Sequence, residues 1–233
     1  MKNIGIFYIG IGRYIELYEG FKKSFDKYFL LNCNKHYYII TDDNTFKCGD
    51  DEELIFVKNE DWPASTLKRF EYFLKCDVSK MDYVFYFNGN SMAQCEVEES
   101  DIIPTEEENY LCGVYLYFHK IMSPYDRNPD SSCYMTIQSN YAFRGGLLGG
   151  RTKEFMECCK ACVEMIKQNG NYIPKWHDEA YFNKYVENLN IKKIKEDVFS
   201  YINYGHPKIF TRLKKKIFGN KFLRDLKGKE AFI

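Results

Sequence analysis

The sequence contains no apolar run approaching the roughly 20 residues that a membrane-spanning helix needs. Its first residues lead directly into Ile4–Tyr8, an apolar run too short for a secretory signal peptide. The nine cysteines lack the paired spacing of a zinc site. Cys158, Cys159 and Cys162 lie in one predicted helix, where neighbouring thiols rarely form a sound disulfide. These absences predict a cytoplasmic protein with buried, reduced thiols.

The sequence also carries no net charge, because 33 Lys and Arg residues balance 33 Asp and Glu residues. The charges are nevertheless uneven, since residues 205–233 form a strongly basic tail and the rest of the chain is acidic. Such a tail is expected to meet phosphate, either on a ligand or on lipid headgroups at the inner face of a membrane. Nucleic-acid binding is disfavoured, because the tail has no matching basic face elsewhere in the chain.

What the chain does have is an alternation of strand and helix patterns, which predicts an α/β fold with a mostly parallel central sheet flanked by helices. The predicted strands of the first ninety residues are 4–9, 36–41, 54–57 and 82–87. The last of these is apolar after its first residue, which predicts a central strand covered on both faces. The predicted helices between them are 13–27 and 65–76, with Ser65 as the N-cap of the second.

The second half of the chain is predicted to hold one more strand, a substrate-facing loop and two helices, at residues 111–119, 120–140, 152–168 and 178–189. Gly145-Gly146 and Gly149-Gly150 flank two leucines, and such glycine pairs let backbone approach another backbone or a ligand closely. We expect one domain over residues 1–209 and a mobile basic tail over residues 210–233.

Asn88-Gly89-Asn90 follows the predicted central strand. Ligands of open α/β sheets bind beyond the carboxyl ends of such strands, and many nucleotide-sugar transferases place Asp-x-Asp there to hold a divalent cation. Two amides can hydrogen-bond ribose or sugar hydroxyls, but they bind a dication weakly. The alternative is an ordinary turn, because Asn-Gly is a favoured turn dipeptide.

Trp176-His177-Asp178-Glu179 lies at a predicted helix start. In the first turn, the helix dipole would keep the Glu179 carboxylate ionised, so that it could act as a nucleophile or stabilise a cation. The alternative is simple helix capping, for which Asp and Glu are well suited. Gly10-Ile11-Gly12 has no third glycine of a dinucleotide-binding loop, because Ile15 stands there.

Taken in order, five segments resemble glycosyltransferase family 6, which includes the histo-blood-group A and B transferases. They are Ile9–Tyr14, Thr66–Glu71, Asn88–Asn90, Gly145–Gly150 and Trp176–Glu179. The resemblance covers roughly residues 4–221 and implies a single domain of the GT-A type. The lack of an N-terminal anchor and the Asn-x-Asn sequence are similar to the short bacterial branch of this family.

The resemblance also implies a role for individual residues. Glu179 matches the catalytic glutamate, and His119 and Trp176 match residues that bind the acceptor. Arg144, Gly145 and Gly146 fall where the family selects the sugar. The implied contacts with the UDP-sugar donor are Ile9, Gly10, Ile11, Tyr14, Arg69, Asn88, Asn90, His177, Asp178, Lys215 and Lys221. Lys215 matches a tail lysine that closes over the diphosphate.

The implied activity is transfer of N-acetylgalactosamine, in preference to galactose, from UDP to the 3-hydroxyl of a galactoside in α linkage. The acceptor would be an oligosaccharide or glycolipid, with a fucosylated galactoside as one candidate. No cofactor or metal is expected, since the amide pair replaces the carboxylates. Two alternatives stay open: a catalytically silent sugar- or nucleotide-binding relative, and a UDP-sugar hydrolase on the same fold.

Overall fold

The computed structural model describes residues 1–60, 62–117, 125–136 and 141–194. His119, Lys215 and Lys221 lie outside these ranges, as do the predicted basic tail and parts of the predicted 120–140 loop. In the described part of the chain, no helix has the length and apolar character needed to cross a membrane.

Within the described residues, a seven-stranded sheet forms the centre, in the order β3-β2-β1-β4-β6-β5-β7. The strands are β1 (Asn3–Ile9), β2 (Asn34–Thr41), β3 (Glu52–Phe56), β4 (Tyr83–Phe87), β5 (Leu111–Tyr117), β6 (Tyr141–Arg151) and β7 (Lys192–Ile194). Within the described chain β6 pairs antiparallel with both of its neighbours, whereas the other pairings are parallel. The mostly parallel sheet that the sequence predicts is therefore confirmed.

The helices flank this sheet. They are α1 (Tyr18–Tyr28), α2 (Ala64–Leu67), α3 (Arg69–Phe73), α4 (Glu99–Ile102), α5 (Thr152–Gln168) and α6 (His177–Tyr185), with a 3₁₀ helix over Gly12–Leu17 before α1. The prediction of one helix over residues 65–76 is wrong, because the chain breaks at Lys68 into α2 and α3. Ser65 lies inside α2 and does not cap it; Pro63 occupies the N-cap position.

Side chains are buried on both faces of the central strands. In β1, Ile4, Ile6 and Tyr8 pack with the aromatic residues of α1, and Phe7 packs on the opposite face with those of α3 and α5. The same alternation continues in β4, whose four residues after Tyr83 are all buried. A strand that buries both faces reads as a continuous apolar run, and the central position predicted for residues 82–87 is confirmed.

The sequence did not predict strand β6, because it contains four glycines and glycine is depleted in ordinary strands. Close packing explains them. A Cβ atom on Gly149 would lie 2.5 Å from both the Phe85 side chain and the Val84 carbonyl oxygen of β4. Only glycine lets the backbone of β6 pair with β4 at this distance, so the glycine pairs serve backbone contact as well as the site.

All nine cysteines are free in the structure. Seven are buried, but Cys48 is exposed and Cys95 is half-buried, so the prediction of buried thiols is wrong for these two. Burial raises the pKa of the Cys133 thiol to about 12, and it also raises the pKa of Cys76 and Cys112. Such thiols stay protonated and inert, and they serve as core side chains.

Candidate active site

The parallel strands β1 and β4 are neighbours, so their carboxyl ends meet at one edge of the sheet. A cavity of about 480 Å³ opens there, which we call the strand-end cavity. It is lined by Ile9, Ile11, Tyr14, Trp62, Ser65, Thr66, Arg69, Tyr86 and Asn88–Asn90. The structure thus brings together the residues predicted at the ends of two strands that are far apart in the sequence.

Gly10 supports this cavity through its backbone and is absent from its lining. Its N–H donates to the Ile40 carbonyl at 2.8 Å, and its carbonyl accepts from the Thr41 hydroxyl at 2.7 Å. These two bonds tie the loop after β1 to the end of β2. Gly10 therefore fixes the backbone on which its neighbours Ile9 and Ile11 reach the cavity.

A second cavity of about 240 Å³, the carboxylate cavity, lies between β6 and the start of α6. It is lined by Arg144–Gly146 of β6, by Trp176–Glu179, and by Thr66, Arg69 and Asn88. The last three residues also line the strand-end cavity. A ligand that crosses from one cavity to the other must pass these three side chains.

A buried ion pair joins α3 to α6. Nη1 of Arg69 donates to Oδ2 of Asp178 at 2.5 Å and to the Gly145 carbonyl at 2.8 Å. Only 3% of Asp178 is exposed. Burial raises the pKa of Asp178, although the Arg69 guanidinium and two backbone N–H groups act in the opposite direction. The pair leaves no room for a side chain on Gly145, whose Cβ would lie 2.6 Å from Arg69 Nη1.

Glu179 lies in the first turn of α6, as predicted, and its carboxylate Oε1 accepts the N–H of Gly145 at 2.8 Å. Because this bond reaches across to β6, capping does not explain Glu179. The helix dipole was expected to keep the Glu179 carboxylate ionised, which means a lowered pKa. This expectation is wrong in direction, because burial, and then the charge of Asp178, raise the pKa of Glu179. The Gly145 N–H, Arg144 and Arg69 oppose this rise without overcoming it.

His177 and Trp176 complete the start of α6. Burial lowers the pKa of His177, against the opposing charge of Glu179, so the imidazole is neutral near pH 7. Its ring lies edge-on to Trp62, with 4.7 Å between ring centroids. Arg144 is exposed at the mouth of the carboxylate cavity, and the Gly146 carbonyl accepts the N–H of Asn88 at 3.1 Å.

Sequence reasoning missed the roles of Trp62, Thr66 and Tyr86. Two of them, Thr66 and Tyr86, carry a signal that could have found them. Thr66 lies three residues before Arg69, a spacing that places both side chains on one face of a helical segment. Tyr86 lies two residues before Asn88, and alternate residues of a strand point to the same face. Trp62 is 70% exposed at the rim, and its sequence position gives no comparable signal.

Comparison with known proteins decides the family. The family model described as Glycosyltransferase family 6 matches residues 2–214. The chain belongs to glycosyltransferase family 6. It is therefore a hexosyltransferase with a mixed α/β GT-A fold, and its family membership implies a nucleotide-sugar donor and a glycan acceptor.

Curated relatives extend from a bacterium to mammals. The O-antigen biosynthesis glycosyltransferase WbnI of Escherichia coli is 31% identical over 190 residues, covering 78% of this chain and 81% of the relative. The histo-blood group ABO system transferase 1 of Rattus norvegicus is 21% identical, over 91% of this chain and 65% of its own. The globoside alpha-1,3-N-acetylgalactosaminyltransferase 1 of Homo sapiens is 20% identical, over 78% and 56%. The chain thus spans less than two thirds of these mammalian relatives.

Many nucleotide-sugar transferases hold a divalent cation at this point of the fold, so a divalent cation is the group to test against the strand-end residues. Asn88 and Asn90 offer amides, which carry no charge to attract a dication. Across the described residues, no group of three or more His, Cys, Asp or Glu side chains is placed to hold a metal ion. Asp178 already pairs with Arg69, and Glu179 with the Gly145 N–H. This donor set does not fit Mn²⁺ or Mg²⁺.

Proposed function

We propose that the chain is a metal-independent retaining transferase that moves N-acetylgalactosamine, in preference to galactose, from UDP to the 3-hydroxyl of a galactoside in α linkage. In the reaction, the bond from C1 to the β-phosphate oxygen breaks and its electron pair leaves with UDP. The acceptor oxygen forms the new bond to C1, and the hydroxyl proton is released with the products.

The observation that carries this proposal is the place of Glu179 beside the residues shared by the two cavities. A uridine in the strand-end cavity would lie against Ile9, Ile11 and Tyr14, and its diphosphate would reach Arg69 and Asn88. The hexose would then enter the carboxylate cavity, where Glu179 is held by the Gly145 N–H. A carboxylate at this position supports C1 either as a covalent nucleophile or as the partner of an oxocarbenium-like ion.

The selection of N-acetylgalactosamine rests on Gly146, which carries no side chain at the position that the resemblance assigns to sugar choice. We propose that the acetamido group of the donor sugar lies beside it. Arg144 is exposed at the same cavity and offers a guanidinium to the sugar or the acceptor. The alternative donor is UDP-galactose. The human relative is named for transfer of N-acetylgalactosamine, which agrees with the preferred donor.

The charge of the leaving UDP requires cationic partners when no metal is present. Arg69 supplies one, but Asp178 already pairs with it. We therefore propose that Lys215 and Lys221 of the basic tail supply the rest, and that the tail also shields the donor from water. Truncation after Ile209 is expected to weaken donor use. Unchanged kinetics would leave the tail with another role, such as contact with anionic lipid.

The test is UDP release from UDP-N-acetylgalactosamine and UDP-galactose, with and without a fucosylated lactose acceptor. We expect fast release only when acceptor is present, together with formation of an α1,3-linked product. Release that is equally fast without acceptor would identify a hydrolase. UDP binding without release under any condition would identify a silent relative. The Glu179→Gln variant serves as the matched inactive control.

A further inference from the structure

Tyr86 contacts two of the three residues that the cavities share. Its hydroxyl donates to Oδ1 of Asn88 at 3.1 Å, and its ring lies 4.5 Å from the Arg69 guanidinium carbon. The side chain is buried, with 3% of the residue exposed. One fixed phenol ring therefore sets the position of both the amide and the guanidinium.

The hydrogen bond decides which end of the Asn88 amide stays available. An amide oxygen accepts and an amide nitrogen donates two N–H groups. Because Oδ1 is bonded to Tyr86, the available group is Nδ2, which makes no hydrogen bond to the described part of the chain. A metal ligand would need the oxygen directed at the ligand, and here the donor end is left for it.

We propose that Tyr86 is a positioning residue that orients Asn88 so that its N–H groups, beside Arg69, bind the diphosphate of the nucleotide. The position occupied by a metal-binding carboxylate in Asp-x-Asp enzymes thereby becomes a hydrogen-bond donor to anionic oxygen. The inference rests on the proposed function only for the identity of the ligand as a uridine diphosphate.

A second phenol holds the next residue of the same loop. The Tyr8 hydroxyl, from the neighbouring strand β1, lies 3.1 Å from the Gly89 carbonyl and also bonds the Tyr14 carbonyl. Burial raises the pKa of both phenols, so they remain protonated donors across the working pH range. The Ser91 N–H closes the turn by donating to the Asn88 carbonyl at 2.8 Å. The loop is therefore held by hydrogen bonds from the protein itself.

The test compares Tyr86→Phe with Tyr72→Phe in the full-length chain, with excess EDTA present. Tyr72 is a matched control, because it is also buried and its hydroxyl finds no partner within the described residues. Binding of UDP and of uridine is measured by calorimetry. We expect Tyr86→Phe to weaken UDP binding roughly three- to tenfold, the usual effect of one lost hydrogen bond, and to leave uridine binding unchanged. Tyr72→Phe should leave both unchanged.

Asn88→Asp tests the polarity directly, since the carboxylate can still accept from Tyr86 but has lost both N–H groups. We expect UDP binding in EDTA to weaken by more than about tenfold, because a donor is replaced by a negative charge. Unchanged or tighter binding would overturn the proposal. So would a Tyr86→Phe variant that loses uridine and UDP affinity equally, because Tyr86 would then act only as a scaffold.

Two further results separate this inference from the proposed function. Weakening seen with the UDP-sugar but not with UDP would place the contact on the hexose and overturn the diphosphate assignment. If the variants behave as expected but no acceptor supports transfer, the proposed function fails and the orientation of Asn88 stands. Thermal unfolding of each variant confirms that it is folded.

Discussion

The two cavities share Thr66, Arg69 and Asn88 but differ in the chemical groups that line the rest of them. Apart from Arg69, the strand-end cavity consists of aliphatic, aromatic, hydroxyl and amide groups. The carboxylate cavity has half the volume and contains two arginines and two carboxylates, with Asp178 almost fully buried. Groups of the first kind bind a ligand with little effect on folding, whereas buried charges destabilise the fold. Under the proposed function, the strand-end cavity would serve recognition and the carboxylate cavity would serve the chemistry.

The largest expected effect comes from neutralising the carboxylate cavity. Glu179→Gln keeps an oxygen for the Gly145 N–H but removes the charge that supports C1. Turnover should fall about 10²–10⁴-fold, while the UDP dissociation constant changes by less than about twofold. Initial rates and calorimetry measure the two quantities. Near-normal turnover would contradict the assignment of Glu179.

The second-largest effect is expected from breaking the ion pair between Arg69 and Asp178, which should lower the stability of the fold. Arg69→Met leaves Asp178 buried without a partner, and the free energy of unfolding should fall by about 3–5 kcal/mol. Adding Asp178→Asn should restore much of this loss, because the uncompensated charge is then removed. Urea denaturation measures both variants. Lys167→Ala, at an exposed ion pair on α5, is the control and should leave the midpoint unchanged. A similar loss of stability in Arg69→Met and in Lys167→Ala would show that burial of the pair is unimportant.

The raised pKa of Glu179 gives a signed pH dependence that is specific to the carboxylate cavity. A carboxyl group with a higher pKa in the folded state binds more protons there, so the free energy of unfolding falls as pH rises above its ordinary value of 4.5. Glu179→Gln should therefore unfold at a higher temperature than the wild type at pH 7, by about 2–4 °C for each kcal/mol relieved. Calorimetry at pH 4 and 7 checks this. A stability gain that is the same at both values would contradict it.

The smallest effect is expected in the strand-end cavity. Ile11→Ala removes apolar contact with the base, which should weaken UDP binding roughly three- to tenfold. Turnover at saturating donor should stay within about twofold, because no charge near C1 changes. Steady-state kinetics with varied donor separates the two. A fall in turnover comparable to that of Glu179→Gln would show that the two cavities do not differ in their effect on turnover.

Local patterns predicted most of this architecture, since apolar periodicity marks the strands at residues 4–9 and 82–87 and the helix at 152–168. Long-range contacts escaped prediction. The pairing of Arg69 with Asp178 spans 109 positions, and no local pattern encodes it. The strand β6 was missed because its glycines are required by close contact with Phe85 and Val84 on another strand. The pKa of Glu179 was misjudged in direction because helix position is visible in a sequence and burial is not.

We propose that the site works through its own side chains in place of a divalent cation. The most direct measurement is the initial rate of acceptor-dependent UDP release in excess EDTA, compared with the rate after Mn²⁺ is added back. We predict equal rates in the two conditions. Loss of transfer in EDTA with full recovery in Mn²⁺ would show that the site depends on a divalent cation.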